Sequence, residues 1–260
     1  MKAPAPDARE HFVTTTNPLA LFLRKLESHV PLSVQDRAAI LALPFTLKSL
    51  GPQTYLTREG DAPNVCAVLI DGFAYRHKLT GDGDRQIVSL HIPGEALDLQ
   101  NLYLDVSDHN VQTLTSVDVA IIPRPALQKL VAERAGIAHA LLFTVLVEAS
   151  IFREWVLNIG RRDAATRLAH LLCEFAVRLE AQGLAGDAGY SLPMTQEQLA
   201  DTLGLTPVHI NRTIKALEAG GFIARDGRHI RFPDWRRMRE IGDFNQRYLH
   251  LEPKLSLVAA

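Results

Sequence analysis

The segment from residue 194 to residue 232 carries the side chains in this chain that are best suited to hydrogen-bond nucleic acid. His209, Asn211, Arg212 and Lys215 follow one another closely. Amide, imidazole and guanidinium groups can hydrogen-bond base edges, and lysine and arginine also bind phosphates. On a helix these side chains would share an exposed face, so the pattern indicates a nucleic-acid-binding surface.

Local signals predict two short helices that would position this face. Thr195 and Gln198 have the spacing of a capping box, so a helix should begin here and end at Gly204. Thr206 can cap a second helix, and Pro207 is favoured at a first helical position because its missing N–H is not needed there. Two short helices joined by a tight glycine turn are typical of the helix-turn-helix, whose second helix enters the DNA major groove.

A β-hairpin is predicted directly after the second helix. The double glycine at 220–221 should stop that helix. Strand-like runs at residues 222–225 and 228–232 then flank Asp226-Gly227, a strong hairpin signal. The unit is therefore predicted to be a winged helix-turn-helix. The alternative is a small helical domain with a merely solvated polar face, and the order of cap, turn, proline and wing argues against it.

Length, charge and cysteine content restrict the class of protein. The chain has 260 residues, 47% of them hydrophobic and 22% charged, which is enough for two domains with cores. The net charge is -1, so attraction to DNA must come from a local patch. Cys66 and Cys173 are too few for a four-cysteine iron–sulfur cluster or a disulfide framework. We expect both thiols to be buried rather than to act as redox switches.

Neither a secretion signal nor a membrane span is predicted. Residues 1–16 contain acids and prolines and lack a signal-peptide core. No apolar run approaches the roughly 18 residues that cross a bilayer. We therefore expect a cytoplasmic protein without a membrane partner.

The first half of the chain is predicted to contain two short helices, over residues 18–43, and then an antiparallel β-structure. Between residues 45 and 123, runs rich in Val, Ile, Thr and Tyr alternate with turn signals. This spacing is typical of a barrel or sandwich. The predicted strands are residues 66–70, 73–79, 85–92, 110–115 and 117–122.

A long helix is predicted to connect the two halves. After a short helix at residues 125–135, apolar side chains recur every three or four positions from 136 to 159. The stripe is wide enough to pack on the chain's own sheet and on a second copy, so we expect a dimerisation helix rather than an internal core helix alone. Asp163 should cap the next helix, which would run to about Gln182. The expected dimer contacts are Ile137, Leu141, Val145, Ala149, Phe152, Val156 and Ile159.

The order of these elements resembles the Crp/Fnr family of bacterial transcription regulators. The most specific matches are MTQEQLADTLGLTPVHINRTIKALEAGGFI and the glycine spacing of REGDAPNVCAVLIDGFAYRHK and HIPGEAL. The resemblance implies an α+β fold in which a cyclic-nucleotide-binding-like antiparallel β-roll, a double-stranded β-helix, precedes the winged helix-turn-helix. The implied divisions are a flexible arm (1–17), a sensor domain (18–135), a dimerisation helix (136–160), a DNA-binding domain (161–250) and a tail (251–260).

The same resemblance implies a homodimeric regulator, not an enzyme, that binds a palindromic double-stranded DNA operator and works with RNA polymerase. In the family's recognition helix an acidic residue and a final arginine contact bases. Arg212 matches the arginine, whereas Val208 stands at the acidic position and would pack on a thymine methyl group. We expect base contacts from Val208, His209, Asn211 and Arg212, and backbone contacts from Thr195, Gln196, Thr206, Thr213, Lys215 and Arg228.

The sensor positions depart from the family's cyclic-AMP binders. Asp98-Leu99 replaces the Gly-Glu pair that binds ribose, and His109-Asn110 replaces the Arg-Ser pair that binds the cyclic phosphate. An aspartate without an opposing guanidinium would repel a phosphate, so we expect no control by cyclic AMP and no bound cofactor. A different effector pocket, or equally a solvated face, is predicted at Tyr75, His77, Gln100, His109 and Asn110.

Two further interpretations rest on the histidines. A cyclic-nucleotide- or haem/gas-responsive regulator would hold its effector in the β-roll, and a cupin-like metal enzyme would use His77, His91, Glu95 and His109. The cupin pattern requires His-x-His, but Lys78 and Leu79 follow His77. We therefore expect no metal site, and we expect these side chains to be polar strand positions that face outward.

Overall fold

Two helices precede the first sheet, as the apolar spacing predicted. They are α1 (Ala20–Glu27) and α2 (Val34–Leu41), and the Ser33 hydroxyl caps α2 by accepting the Asp36 N–H at 3.1 Å. The computed structural model describes residues 17–186 and 189–251. The predicted arm and tail, apart from residues 17 and 251, therefore lie outside the described residues.

Seven strands form the β-roll. They pair antiparallel into one sheet of order β1-β7-β3 and a second of order β2-β6-β4-β5. The last five confirm the predicted strands to within a few residues, and the first two were not predicted because β1 is mostly exposed and β2 is very short. The strands are β1 (Thr46–Leu50), β2 (Tyr55–Thr57), β3 (Val65–Asp71), β4 (Ala74–Leu79), β5 (Arg85–His91), β6 (Asn110–Thr113) and β7 (Val117–Pro123).

The two sheets enclose a small apolar core. A glycine is required where β3 turns into β4, because Gly72 has φ 78° and a Cβ there would lie 2.2 Å from the Ser116 carbonyl oxygen. A 3-10 helix, Leu99–Leu102, lies between β5 and β6. The buried apolar side chains that form this core are Ala67, Leu69, Ala74, Leu97, Val111, Val117 and Val119.

Helices α3 (Arg124–Glu133) and α4 (Ala135–Arg161) follow the roll. Ile137 and Leu141 lie in the core that α1 and α3 share with α4. The prediction of these two side chains as dimer contacts is therefore wrong, because the chain's own core covers them. With 27 residues, α4 is also long and apolar enough to cross a membrane by length and composition, contrary to the sequence expectation.

The remaining elements build the helix-turn-helix unit. Asp163 caps α5 by accepting the Thr166 N–H at 2.9 Å, as predicted. The wing turn is Gly227-Arg228 rather than Asp226-Gly227, because Asp226 pairs with His229 and extends the ladder by one residue. A further 3-10 helix is Gln246–Leu249. The elements are α5 (Ala164–Ala181), β8 (Tyr190–Ser191), α6 (Gln196–Leu203), α7 (Pro207–Ala219), β9 (Ala224–Asp226), β10 (His229–Arg231) and α8 (Trp235–Ile241).

Candidate DNA interface and effector cavity

The helix caps around the candidate DNA interface have the predicted geometry. Thr195 Oγ1 accepts the Gln198 N–H at 3.2 Å, and Gln198 Oε1 accepts the Thr195 N–H at 2.8 Å, which completes the capping box. Gly204 ends α6 with φ 62°, the left-handed conformation that glycine adopts without strain. Thr206 Oγ1 accepts the His209 N–H at 3.2 Å and starts α7. These bonds fix the position of α7 against α6.

The structure brings five of the ten predicted DNA-contacting side chains to one surface along α7. Val208 is 79% exposed. Arg212 and Lys215 are also exposed, and Asn211 and Gln196 are half-buried beside them. A shallow pocket of about 520 Å³ lies here, and it is lined by Gln196, Pro207, Val208, Asn211, Arg212 and Lys215.

Thr213 does not belong to this surface. It is only 5% exposed, and its hydroxyl donates to the His209 carbonyl oxygen at 2.9 Å. Thr213 follows the buried Ile210 by three positions and precedes the buried Leu217 by four, so helical spacing turns it toward the core. The prediction that it contacts a phosphate is therefore wrong.

Three cations of α7 and the wing have no acidic partner among the described residues. Within the part of the chain that the structure describes, Arg212, Lys215 and Arg228 have no ion-pair partner, whereas Arg225 pairs with Glu218 at 3.0 Å. The exposed Arg228 lies in the wing turn. Unpaired positive charge is therefore present on α7 and in the wing, which are the elements that contact DNA in a winged helix-turn-helix.

A cavity of about 560 Å³ lies between the β-roll and α4. Gln100 and His109 line it, as predicted, but Tyr75, His77 and Asn110 do not. Side chains alternate along a strand, so the cavity-facing positions of β4 are Arg76 and Lys78, while Tyr75 and His77 turn to the other face. Asn110 instead accepts the Glu59 N–H at 3.1 Å. The predicted pocket residues therefore divide between two faces of one sheet.

The face that carries Tyr75 contacts the helix-turn-helix unit. The Tyr75 hydroxyl donates to Gln112 Oε1 at 2.6 Å and lies 3.3 Å from Arg85 Nη1. Arg85 Nε in turn donates to Asp201 Oδ2 on α6 at 2.7 Å. This bridge between the sensor and the DNA-binding unit joins Arg85 to Asp201, 116 positions later in the sequence. Nothing in the sequence indicated it.

Asp98 and His109, at the family's ribose and phosphate positions, contact each other. His109 Nε2 lies 3.3 Å from Asp98 Oδ1, and the Thr57 hydroxyl donates to Asp98 Oδ2 at 2.9 Å. Burial alone would raise the pKa of Asp98, but the hydrogen bond from His109 and the charge of Arg76 lower it below its ordinary value. A guanidinium therefore does lie near Asp98, contrary to expectation.

The Arg76 guanidinium already makes contacts within the chain. Arg76 Nε donates to the Leu97 carbonyl oxygen at 3.0 Å, and Nη1 lies 3.4 Å from Glu148 Oε2 on α4. An incoming phosphate would have to displace these contacts to use Arg76.

The histidines of the roll do not face outward as predicted. His77, His91 and His109 are all buried, and Glu95 beside His91 is largely buried. The His77 ring lies between Tyr55 and Tyr75, with ring centroids 5.9 and 5.4 Å away. Burial lowers the pKa of the His77 imidazole to about 4. Among the described residues, no group of three or more His, Cys, Asp or Glu side chains is placed to hold a metal ion.

A chain of buried charges connects the roll to α5. Glu95 Oε1 lies 3.2 Å from Lys25 Nζ, and Glu95 Oε2 lies 3.0 Å from Arg178 Nη2. Arg178 Nη1 lies 3.2 Å from Glu174, which also accepts the Trp155 indole N–H at 3.0 Å. Burial raises the pKa of Glu95, but Arg178 and Lys25 outweigh it and hold that pKa well below its usual value.

Both cysteines are buried, as expected. Cys66 and Cys173 are free thiols with almost no exposed surface. Burial raises the pKa of Cys66 to about 12 and also raises that of Cys173. Neither side chain therefore forms the thiolate that redox chemistry requires at neutral pH.

Comparison with known proteins agrees with the fold. Residues 47–134 match the family described as "Cyclic nucleotide-binding domain", and residues 166–241 match "Crp-like helix-turn-helix domain". The structure resembles that of FixK2 from Bradyrhizobium japonicum with a TM-score of 0.71 and 24% sequence identity, over 76% of this chain and 98% of that one. The predicted β-roll, long helix and C-terminal helix-turn-helix are confirmed.

Two curated relatives are transcription regulators by name. "Transcriptional activator protein FnrL" of Cereibacter sphaeroides is 31% identical over 190 residues, which cover 71% of this chain and 76% of that protein. "Nitrogen fixation regulation protein FixK" of Rhizobium meliloti is also 31% identical over 190 residues, which cover 72% of this chain and 82% of that protein. On these grounds the chain belongs to the Crp/Fnr family and is a DNA-binding transcription regulator.

Proposed function

We propose that the protein binds a two-fold-symmetric DNA operator as a homodimer, with α7 of each protomer in the major groove of one half-site. The observation that carries this proposal is the exposed start of α7, where Arg212 and Lys215 lack acidic partners within the described chain. Such cations bind phosphates and bases, and they release counterions when they do so. The protein should therefore bind DNA in a salt-dependent manner despite its net charge of -1.

The exposed face of α4 supports the dimer. Only 22% of its most apolar 18-residue stretch is buried. An apolar stripe of this length on a monomer would be unusual, and a second α4 would cover it with matching spacing. Ile159 is half-buried and lies against Gly204, so it stands at the margin of the stripe. The exposed side chains are Leu142, Val145, Leu146, Ala149, Phe152, Val156 and Leu157.

Base recognition is proposed for the first turns of α7. Arg212 can donate two hydrogen bonds to guanine O6 and N7, and Val208 can pack on a thymine methyl group. His209 and Asn211 lie beside them and offer further polar contacts. Thr195, Gln196, Thr206, Lys215 and Arg228 are the proposed phosphate-contacting residues. Because Val208 cannot accept from cytosine N4, the half-site should differ from those of relatives with an acidic residue there.

Cyclic AMP is not the proposed effector. The buried Asp98 carboxylate and its partner His109 occupy the positions of the ribose and phosphate contacts. A cyclic phosphate would meet a negative charge, and the nearest guanidinium, Arg76, is bound to Leu97 and Glu148. The cavity between the roll and α4 nevertheless has the size of a small-molecule site, which favours control by a different effector.

The proposed location in the cell follows from the proposed partners, DNA and RNA polymerase. The relative FnrL is named a transcriptional activator, and we extend to this chain the expectation that RNA polymerase is its further partner. It would act in the cytoplasm, where bacterial DNA lies. No enzymatic role is proposed, because both relatives described above are named as regulators.

Stoichiometry and salt dependence test this proposal. Native mass spectrometry of the full chain on its operator should give two protomers per duplex, and log K should fall linearly with log salt. One protomer per duplex would reject the homodimer. Binding that does not depend on salt would reject the proposed phosphate contacts.

A further inference from the structure

One end of the cavity between the roll and α4 is closed by α1 rather than by the roll. His29, which follows α1, lines this end and is 3% exposed. Its Nδ1 lies 2.9 Å from the carbonyl oxygen of His250. A carbonyl oxygen can only accept a hydrogen bond, so Nδ1 must carry the ring proton. Burial lowers the pKa of His29 to about 4, so the ring is uncharged at neutral pH and Nε2 is an unprotonated acceptor.

No described part of the chain satisfies that acceptor. His29 Nε2 is buried and has no hydrogen-bond partner. The nearby donors are already bound: Lys25 to Glu95 at 3.2 Å, and the Thr144 hydroxyl to the Ala140 carbonyl oxygen at 3.0 Å. A buried acceptor that lacks a donor destabilises a fold, so the position is suited to a molecule that supplies one.

The surroundings of His29 restrict the chemistry of such a molecule. Behind it, Lys25 and Arg178 neutralise Glu95 and Glu174, so this end carries no net charge that would attract an ion. On α4 the Phe143 ring lies 5.5 Å from His29, and the apolar Val147 and Ile151 line the cavity one and two turns further on, alongside the polar Thr144 and Glu148. The whole cavity, about 560 Å³, is large enough for a small organic ligand.

We propose that this end of the cavity, the α1 subsite (His29, Thr144, Val147 and Ile151), binds an uncharged amphipathic small molecule that donates one hydrogen bond to His29 Nε2. The subsite lies outside residues 47–134, the part that matches the cyclic nucleotide-binding domain, because α1 precedes them and α4 follows them. The four subsite residues include neither Asp98, which does not line the cavity, nor His109.

The subsite is a place where an effector other than cyclic AMP would bind. Its role in regulation rests on the proposed function. The same His29 ring holds His250, and Arg24 on α1 donates to the Gln182 carbonyl oxygen at 2.9 Å after α5. A ligand on His29 would therefore touch a group that ties α1 to the DNA-binding unit. Ligand binding itself can be measured without DNA.

The test uses a pair of fluorescent probes with the full chain. N-phenyl-1-naphthylamine is uncharged and has one N–H donor, and its N-methyl derivative has none. We expect saturable binding of the first probe, and about 2- to 10-fold weaker binding of the second because one hydrogen bond is lost. In His29→Phe the two affinities should become equal. His139→Phe, an exposed histidine outside the cavity lining, should keep the wild-type ratio.

A second measurement does not depend on a variant. In protein labelled with 15N-histidine, His29 Nε2 should give the resonance of an unprotonated nitrogen and should shift with the N–H probe but not with the N-methyl probe. A protonated Nε2, no saturable probe binding, or equal affinities in the wild type would each overturn the subsite. Operator binding by the same preparation separates these results from a failure of the DNA-binding proposal.

Discussion

His109 Nε2 lies 3.3 Å from Asp98 Oδ1, and the contact joins two residues at the positions where cyclic-AMP binders of the family hold ribose and phosphate. The Thr57 hydroxyl donates to the same carboxylate at 2.9 Å. Because these bonds and Arg76 keep the pKa of Asp98 below its ordinary value despite burial, the carboxylate is a buried anion at neutral pH. The Asp98 carboxylate is thus held inside the roll by the chain's own side chains.

Replacing Arg212 by alanine should relax specificity at one operator position. The exposed guanidinium is proposed to hold guanine through two hydrogen bonds, so the loss should be about 1–3 kcal/mol at that base pair. Fluorescence anisotropy with the operator and with random duplex measures it. Arg236→Ala is the control, because that exposed side chain pairs with Glu240 at 3.0 Å on α8. Equal losses on both duplexes would remove Arg212 from base recognition.

Replacing Val156 by glutamate should dissociate the proposed dimer. Val156 is 57% exposed in the single chain, and a second α4 would bury one new carboxylate from each protomer. At several kcal/mol of desolvation per charge, the dimer dissociation constant should rise about 100-fold or more. Sedimentation velocity reports the mass. Leu47→Glu, at a similarly exposed leucine on β1, should leave the mass unchanged; an intact dimer of Val156→Glu would exclude the α4 face.

Replacing Arg178 by methionine should destabilise the protein strongly. The change leaves Glu174 without its charged partner and Glu95 with only Lys25. Breaking a buried ion pair in this way costs about 3–5 kcal/mol of unfolding free energy. Urea denaturation measures the cost, with Arg236→Met as the exposed control expected within about 0.5 kcal/mol of wild type. If Arg178→Met lost no more unfolding free energy than Arg236→Met, the buried ion pairs of Arg178 would not stabilise the fold as proposed.

Replacing His77 by phenylalanine should stabilise the protein, and more so in acid. Neither ring nitrogen has a hydrogen-bond partner, so an apolar ring removes two buried polar atoms. The pKa of His77 is about 4 in the folded state and 6.5 ordinarily. Between these values only the unfolded state binds the proton, so wild-type stability falls as pH decreases from 6.5 toward 4.

The difference between the two proteins in unfolding free energy should therefore grow by roughly 1 kcal/mol per pH unit in this range. Urea midpoints at pH 8 and pH 5 check it. A difference that is the same at both values would mean that His77 titrates normally in the folded protein.

Features encoded over a few residues could be predicted from the sequence. The capping box of Thr195 and Gln198, the cap of Thr206 and the left-handed Gly204 depend on neighbouring backbone groups, so their residue types suffice to predict them. Five of the seven strands of the roll were predicted for the same reason, since alternation and turn residues are local signals.

Features that depend on tertiary contacts could not be predicted. Tyr75 and His77 share one face of β4 while Arg76 and Lys78 share the face toward the cavity, and no residue type announces which face is which. Ile137 has the same spacing as the exposed residues of α4, and it is a core residue because it packs in the cluster that α1 and α3 share with α4. His29 became a candidate ligand-binding residue only when the fold placed His250 against its other ring nitrogen.

The most direct test of the account is selection of operators from a random DNA library by the purified full chain, with and without cyclic AMP. We predict that the same palindrome is selected with and without cyclic AMP. Its half-sites should lie about one helical turn apart, with a thymine beside the guanine that Arg212 contacts. Enrichment only in the presence of cyclic AMP would contradict the role assigned to Asp98 and His109. Recovery of a site without two-fold symmetry would contradict the dimer.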